Sequence, residues 1–153
     1  MNSKPNYPVK ILGIIGQFSC LFAILSANAA NLEVRVDNLH EAGTVYAALY
    51  AGPNASWENA PALLASSDTG QLLFENLPAG EYALQLFQDR NNNQRLDLSK
   101  RGRPLEPVGL SGNPPLLRGR PLASECLFTI TETDNLLRVQ LVEPPARRSR
   151  RAE

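Results

Sequence analysis

The sequence is poor in the side chains that carry most enzyme chemistry. Its 153 residues include one His and two Cys, which are too few for a zinc site. It also lacks a glycine-rich phosphate loop, an aromatic RNA-binding motif and an internal repeat. The sequence therefore predicts neither a zinc enzyme nor a nucleic-acid-binding protein.

A nucleophile with its base is also hard to find. His40 follows Asn38-Leu39 in a predicted turn, where we expect its side chain to be exposed. The segment 109–112 resembles a nucleophile elbow only in part, because Asn113 stands where the second glycine belongs. Cys126 lies in a strand-like run and is expected to be a small buried hydrophobe. We therefore expect no enzyme activity, and a catalytic Cys126 or His40 is the alternative.

The longest apolar run of the sequence lies near its N-terminus. Residues 11–25 follow a polar start that carries two lysines, and small residues follow at 26–30. A positive start, an apolar centre and an A-x-A site predict a secretory signal peptide, residues 1–29, cut after Ala29. The run is shorter than the about 20 apolar residues that span a bilayer. We therefore expect a periplasmic or secreted protein with no transmembrane span after cleavage.

Cys20 falls inside this signal peptide. Cleavage leaves Cys126 as the only thiol, so no intramolecular disulfide can form in an oxidising compartment. A lipoprotein attached at Cys20 is one alternative, although Gln17-Phe18-Ser19 is a poor lipobox. An uncleaved N-terminal anchor is the other.

Alternating apolar residues predict the first strands. Residues 32–36 alternate apolar and charged side chains, as expected of a strand with one buried face. The run 44–50 alternates in the same way, and a turn at 41–43 predicts that the two strands form a hairpin. Residues 51–68 show no period, so we expect a long connection with one short helical turn at 61–65.

Four more strands are expected, at 71–74, 82–87, 124–131 and 136–142. The strand 82–87 follows a Pro-Ala-Gly turn and is apolar enough to be central in its sheet. Short strands without a helical period predict an all-β fold, a small antiparallel sandwich of about seven strands over residues 30–143. The Arg-rich end, residues 144–153, is expected to be a disordered tail.

Five stretches of sequence carry a family resemblance: 32–39, 45–50, 77–82, 86–97 and 104–113. The first two are generic strands, and the last three are specific in this order. Together they resemble the bacterial exported family catalogued as domain of unknown function 2141, whose members are prealbumin-like (transthyretin-like) β-sandwiches. The resemblance implies this fold over residues 31–142, and it implies no activity because the family has no settled biochemical role.

Two residues depart from the pattern of that family. Gln88 stands where its members tend to have His, and Gln94 stands where they tend to have Gly in the following loop.

Four oxygen-bearing side chains are spaced as in a calcium loop. Asp89, Asn91, Asn93 and Asp97 occupy positions 1, 3, 5 and 9 of a D-x-N-x-N-x-x-x-D segment. Calcium takes about six to eight oxygen ligands, and the backbone carbonyl of Arg95 can supply another. Against calcium, Gln94 replaces the glycine and Lys100 stands where a bidentate Glu belongs. The sequence predicts either a structural Ca²⁺ site or a loop held by Asx turns alone.

Residues 89–121 form a stretch too long for an ordinary connection. It concentrates seven cationic side chains: Arg90, Arg95, Lys100, Arg101, Arg103, Arg118 and Arg120. Such a run is usually a solvated charged surface, and an anionic ligand or envelope component at the 90–120 loop, such as a lipid headgroup, a glycan or a carboxylate, is conceivable.

The sequence favours an exported, non-catalytic β-sandwich that acts as a binding or interaction module for an unknown ligand. The first alternative is a structural envelope protein that assembles through exposed strand edges. The second is an enzyme that uses Cys126 or His40. Neither composition nor motif order names the ligand.

Overall fold

A computed structural model describes residues 29–40, 42–116 and 119–144 of the chain. Most of the predicted signal peptide, 1–29, and most of the predicted tail, 144–153, lie outside the described residues. The described part contains eight strands and one short 3-10 turn. They are β1 (Ala29–Asp37), β2 (Thr44–Ala51), β3 (Leu63–Ser67), β4 (Gln71–Pro78), β5 (Gly80–Asp89), β6 (Val108–Leu110), the turn Ala123–Glu125, β7 (Leu127–Ile130) and β8 (Asn135–Gln140).

The strands form two sheets, which confirms the all-β fold. One sheet has three strands in the order β4-β1-β8, and the other has five, in the order β3-β2-β5-β6 with β7 also paired to β5. Side chains alternate along each strand, and the inner faces of the two sheets share one buried core. This core includes Leu32, Val34, Val45, Leu49, Phe74, Leu84, Leu86, Ile130 and Val139.

The pairing corrects the predicted hairpin between residues 32–36 and 44–50. Strand β1 pairs with β4 and β8, and β2 pairs with β3 and β5, so the two strands lie in different sheets. Alternation of apolar residues fixes which face of a strand is buried but not which strand becomes its neighbour. The connection 38–43 therefore crosses from one sheet to the other.

The helical turn predicted at 61–65 is also wrong. Residues 63–67 form strand β3, which pairs with β2 along five residues from Val45 to Leu49. The local sequence suits a helix as well as a strand, and the hydrogen bonds to β2 decide the outcome. The antiparallel prediction holds for every pair of strands in the described chain except β1 and β8, which run parallel.

A second, smaller cluster covers one end of the outer face of the five-stranded sheet. Tyr50, Ala83, Leu110, Ala123 and Cys126 are buried there, together with Ala55. The ring of Trp57 meets that of Tyr50 edge to face at 5.3 Å, and its Nε1–H donates to the carbonyl of Pro121 at 2.8 Å. The connections that contain Trp57 and Pro121 are therefore packed against this outer face. In the described part of the chain, no helix is long and apolar enough to cross a membrane.

Candidate functional site

The loop that follows β5 begins at a buried carboxylate. Asp89 is the last residue of β5, pairs with Thr44 of β2 and is fully buried. Its Oδ1 accepts the backbone N–H groups of residues 91, 92 and 93 at 3.2, 2.8 and 3.3 Å, and its Oδ2 accepts that of Gln94 at 2.7 Å. Burial raises the pKa of Asp89, but these four N–H groups outweigh it and hold the pKa below the ordinary value. Asp89 is thus a buried anion that fixes the first turn of the loop.

The other predicted metal ligands do come together beside Asp89. The amide Nδ2 of Asn91 donates to Asp97 at 2.6 Å, and that of Asn93 donates to both carboxylate oxygens of Asp97 at 3.1 Å. The amide oxygens of Asn91 and Asn93 accept the backbone N–H groups of Asn93 and Arg95. Asn92 and Gln94 adopt left-handed φ angles of 62° and 63°, so the loop curls without the glycine.

This geometry matches calcium in the number of oxygens but not in their orientation. Both oxygens of Asp89 accept backbone hydrogen bonds, and both asparagines turn amide nitrogens toward Asp97. The Nε of Arg95 lies 3.7 Å from Asp97 Oδ1, which places a positive charge at the same point. Among the described residues, no group of three or more His, Cys, Asp or Glu is arranged to hold a metal ion. The contacts are those of the Asx-turn interpretation, and calcium binding stays a prediction that requires both amides to rotate.

A second buried carboxylate, Glu106, holds the far end of the loop, and sequence reasoning missed it. Its Oε1 accepts the backbone N–H of Arg90 at 2.9 Å, and its Oε2 accepts that of Asp97 at 3.0 Å. Glu106 is 4% exposed. The only signal in the sequence is an acidic residue that precedes a proline in a cation-rich stretch, which does not indicate burial.

Between these two anchors the chain forms a small hairpin, residues 97–105. Leu98 pairs with Pro104, and the backbone N–H of Leu105 donates to the carbonyl of Asp97 at 2.9 Å. The tip is closed by bonds from Ser99 N to Arg103 O at 2.8 Å and from Gly102 N to Ser99 O at 2.9 Å. The loop is therefore an ordered projection from the end of β5.

The hairpin 97–105 displays its cations to solvent. Lys100, Arg101 and Arg103 are exposed, and the six ion pairs seen between described residues do not include them. Arg90 instead pairs with Glu143, which also contacts His40. Of the cationic surface predicted for residues 90–120, the part displayed together thus consists of the cations of the hairpin and the neighbouring Arg95.

Arg120 lies apart from that surface, and Arg118 lies outside the described residues. The guanidinium of Arg120 stands 5.8 Å from the ring centre of Trp57 and contacts Glu58 at 3.3 Å and Gln85 at 3.4 Å. Trp57, Glu58 and Arg120 line a shallow cleft of about 270 Å³ together with Leu122. The six cations that the structure describes therefore do not form one continuous site.

The candidate catalytic side chains are engaged in structural contacts. Cys126 is fully buried, which confirms the prediction of a small hydrophobe, and burial followed by the nearby Glu125 raises its pKa. Ser111 is also fully buried, and its Oγ accepts the backbone N–H of Leu84 at 2.9 Å and donates to the carbonyl of Cys126. His40 is exposed, as predicted. Within the described residues no contact joins His40 to either buried group.

Gln88 packs under the connection between β1 and β2. It is fully buried, donates to the carbonyls of His40 and Ala42 at 3.0 and 3.1 Å, and accepts the N–H of His40 at 3.1 Å. Gly43 is the residue after Ala42. It has a φ of 120° and lies against the backbone of Asp89. The crossing between the sheets is thereby fixed next to the start of the loop.

Comparison with known proteins places this architecture in a family. No curated protein matches the chain. The family model described as an uncharacterized protein conserved in bacteria (DUF2141) matches residues 34–137, which is more than half of the chain and includes both Asp89 and Glu106. The chain therefore belongs to this bacterial family, as its motif order predicted.

Proposed function

We propose that this protein is an exported, non-catalytic β-sandwich that binds an anionic component of the cell envelope through the hairpin 97–105. The observation that carries the proposal is the pair of buried carboxylates at the base of the hairpin. Asp89 and Glu106 together accept six backbone N–H groups of the loop. These bonds fix the backbone of the loop before any ligand is present.

Anchoring matters because binding costs entropy when the binding groups must first be ordered. A loop that is already closed by its own hydrogen bonds loses less freedom when it meets a ligand. Lys100, Arg101 and Arg103 lie on this closed segment, so their charges act from fixed backbone positions. Arginine and lysine side chains at a surface attract phosphate and carboxylate groups over about 8 Å at physiological salt.

The contacts of the candidate nucleophiles, Ser111 and Cys126, support a role in binding over one in catalysis. The hydroxyl of Ser111 bridges β5 to the segment before β7, and the thiol of Cys126 lies inside the second cluster. A nucleophile must reach its substrate, and both groups are covered. The intact mass of the purified protein tests export. We expect this mass to be that of a chain that starts at Ala30.

Neutralising the hairpin should remove binding to an anionic surface. We expect the protein to sediment with vesicles of phosphatidylglycerol and phosphatidylcholine but not with phosphatidylcholine alone. The double variant Lys100→Gln/Arg101→Gln should bind about thirtyfold more weakly, since each cation near an anionic membrane contributes about 1 kcal/mol. Competition by inorganic phosphate separates recognition of free phosphate from recognition of a lipid surface.

The matched control is Arg35→Gln/Arg138→Gln. These two arginines lie on the outer face of the three-stranded sheet and form exposed ion pairs with Glu33 and Asp37, which contribute little to stability. The control removes the same net charge from another face. Equal losses in the two double variants would show that net charge alone, and not the hairpin, drives binding.

A further inference from the structure

The strand edges of this protein are protected to very different degrees. A free edge presents unpaired N–H and C=O groups that can pair with another chain, and proteins block such edges with bulges, charges, prolines or short strands. Within the described residues the outer edges belong to β4 and β8 in one sheet and to β3, β6 and β7 in the other. Four of these five edges are blocked or short.

The edge of β8 is covered by a side chain. The Nδ2 of Asn113 donates to the carbonyl of Arg138 at 3.2 Å, and its Oδ1 accepts the N–H of Gln140 at 2.7 Å. A residue of a parallel strand opposite Val139 would make the same two bonds. Asn113 holds this position with a left-handed φ of 49°.

Three other edges are closed in different ways. Strand β6 pairs on its outer side with Val142, through bonds of 2.8 and 3.2 Å. Strand β4 contains a bulge at Glu75–Asn76, where Asn76 has φ of 57°, and it ends at Pro78. Strand β7 has four residues and runs into a turn that the side chain of Asn135 closes.

Strand β3, which has five residues, contains no bulge, charge or proline. Residues 60–67 carry no charge, and the proline in this stretch, Pro61, precedes the strand. The register with β2 is regular along all five residues. Leu64 is 73% exposed and Leu63 is 39% exposed. An uncharged, regular edge strand with exposed leucines is the kind of edge that pairs with another strand.

We propose that β3 pairs antiparallel with β3 of a second copy of this chain and joins the two five-stranded sheets across a two-fold axis. In an antiparallel pair across a two-fold axis, the residues nearest the axis lie close to their own copies, so a charge there repels its copy. Strand β3 carries no charge. The pairing is isologous, and the four other edges are blocked or short, so it closes at a dimer. This inference does not depend on the proposed ligand of the hairpin 97–105.

Sedimentation velocity of the purified protein over a wide concentration range tests the dimer. We expect a monomer–dimer equilibrium, and we expect Leu64→Lys to raise the dimer dissociation constant by about tenfold or more, because an edge lysine opposes pairing. The matched control is Leu136→Lys on β8, where the leucine is 54% exposed and Asn113 covers the edge. It should leave the dissociation constant unchanged.

Hydrogen exchange locates the interface independently of any variant. The amides of residues 63–67 should exchange more slowly at high protein concentration than at low concentration, while those of β8 should not change. A protein that stays monomeric at every concentration overturns the proposal. So does a dimer without protection at 63–67, or one that both lysine variants weaken equally.

Discussion

Replacing Asp89 by Asn should lower the free energy of unfolding by about 3 kcal/mol. The carboxylate is fully buried and accepts four backbone N–H groups. Asparagine keeps the size of the side chain but replaces one acceptor oxygen by an NH₂ group, which faces N–H donors. At least one buried N–H then lacks an acceptor, and the charge that strengthened the remaining bonds is gone. Urea unfolding followed by circular dichroism measures the loss.

The same substitution should change the response to acid. The pKa of Asp89 in the folded protein lies below its ordinary value of 3.8, so its ionised form stabilises the fold. This contribution is fully present above the ordinary pKa and is lost as the pH falls through the lower pKa of the folded protein. The natural protein should therefore lose stability below about pH 4 more steeply than Asp89→Asn does. Parallel slopes would show that Asp89 is not the group responsible.

Asp68→Asn is the matched control for this substitution. Asp68 is exposed and accepts a single bond, from the hydroxyl of Thr44 at 2.6 Å, so we expect a change below about 1 kcal/mol. Calcium titration of the natural protein and of Asp89→Asn extends the test. Calcium that binds at 89–97 must raise the melting temperature of the natural protein by mass action and leave the variant unchanged. A melting temperature independent of calcium would exclude the metal site.

Gly43→Ala should be the second strongly destabilising change, with a loss of about 3 kcal/mol. A Cβ on Gly43 would lie 3.0 Å from the carbonyl carbon of Asp89 and closer still to its oxygen. These are backbone atoms of a central strand, so they cannot move aside as a flexible side chain can. The φ of 120° adds strain for any residue with a Cβ. Thermal and urea unfolding measure the combined cost.

Gly52→Ala separates the two causes. Gly52 has a φ of 93°, and a Cβ there would meet no atom within 4 Å. This variant carries the backbone strain without the collision, and we expect a loss of about 1 kcal/mol. Similar losses for both variants would mean that backbone conformation alone accounts for the effect. A larger loss at Gly43 identifies the close contact between the sheet crossing and the start of the loop.

The alternation of apolar residues correctly predicted which face of a strand is buried, but it did not predict which strands pair with each other. Leu32, Val45 and Leu84 are buried as their alternation indicates, because burial is decided residue by residue. The partner of a strand depends on residues far away in the chain, and the parallel neighbour of β1 begins at Asn135. Strand β3 was missed for a related reason, since Leu63 and Leu64 show no alternation and only the hydrogen bonds to β2 fix their conformation.

The site shows the same division between local and distant causes. The spacing of Asp89, Asn91, Asn93 and Asp97 predicted that these side chains meet, because short loops bring such positions together. It did not predict the burial of Asp89, which depends on the loop as a whole. Glu106 was missed because its partner groups, Arg90 N and Asp97 N, lie sixteen and nine residues away in the chain.

The place of β1 between β4 and β8 has a consequence for when this protein can fold. Strand β1 is the first element of the described chain and β8 is the last, and their register joins Leu32 to Asn135. The smaller sheet therefore stays incomplete until the last strand has left the ribosome. Contacts so distant in sequence form slowly, which leaves the growing chain without its complete three-stranded sheet during synthesis. The export that we propose requires an extended chain, and this order of events favours it.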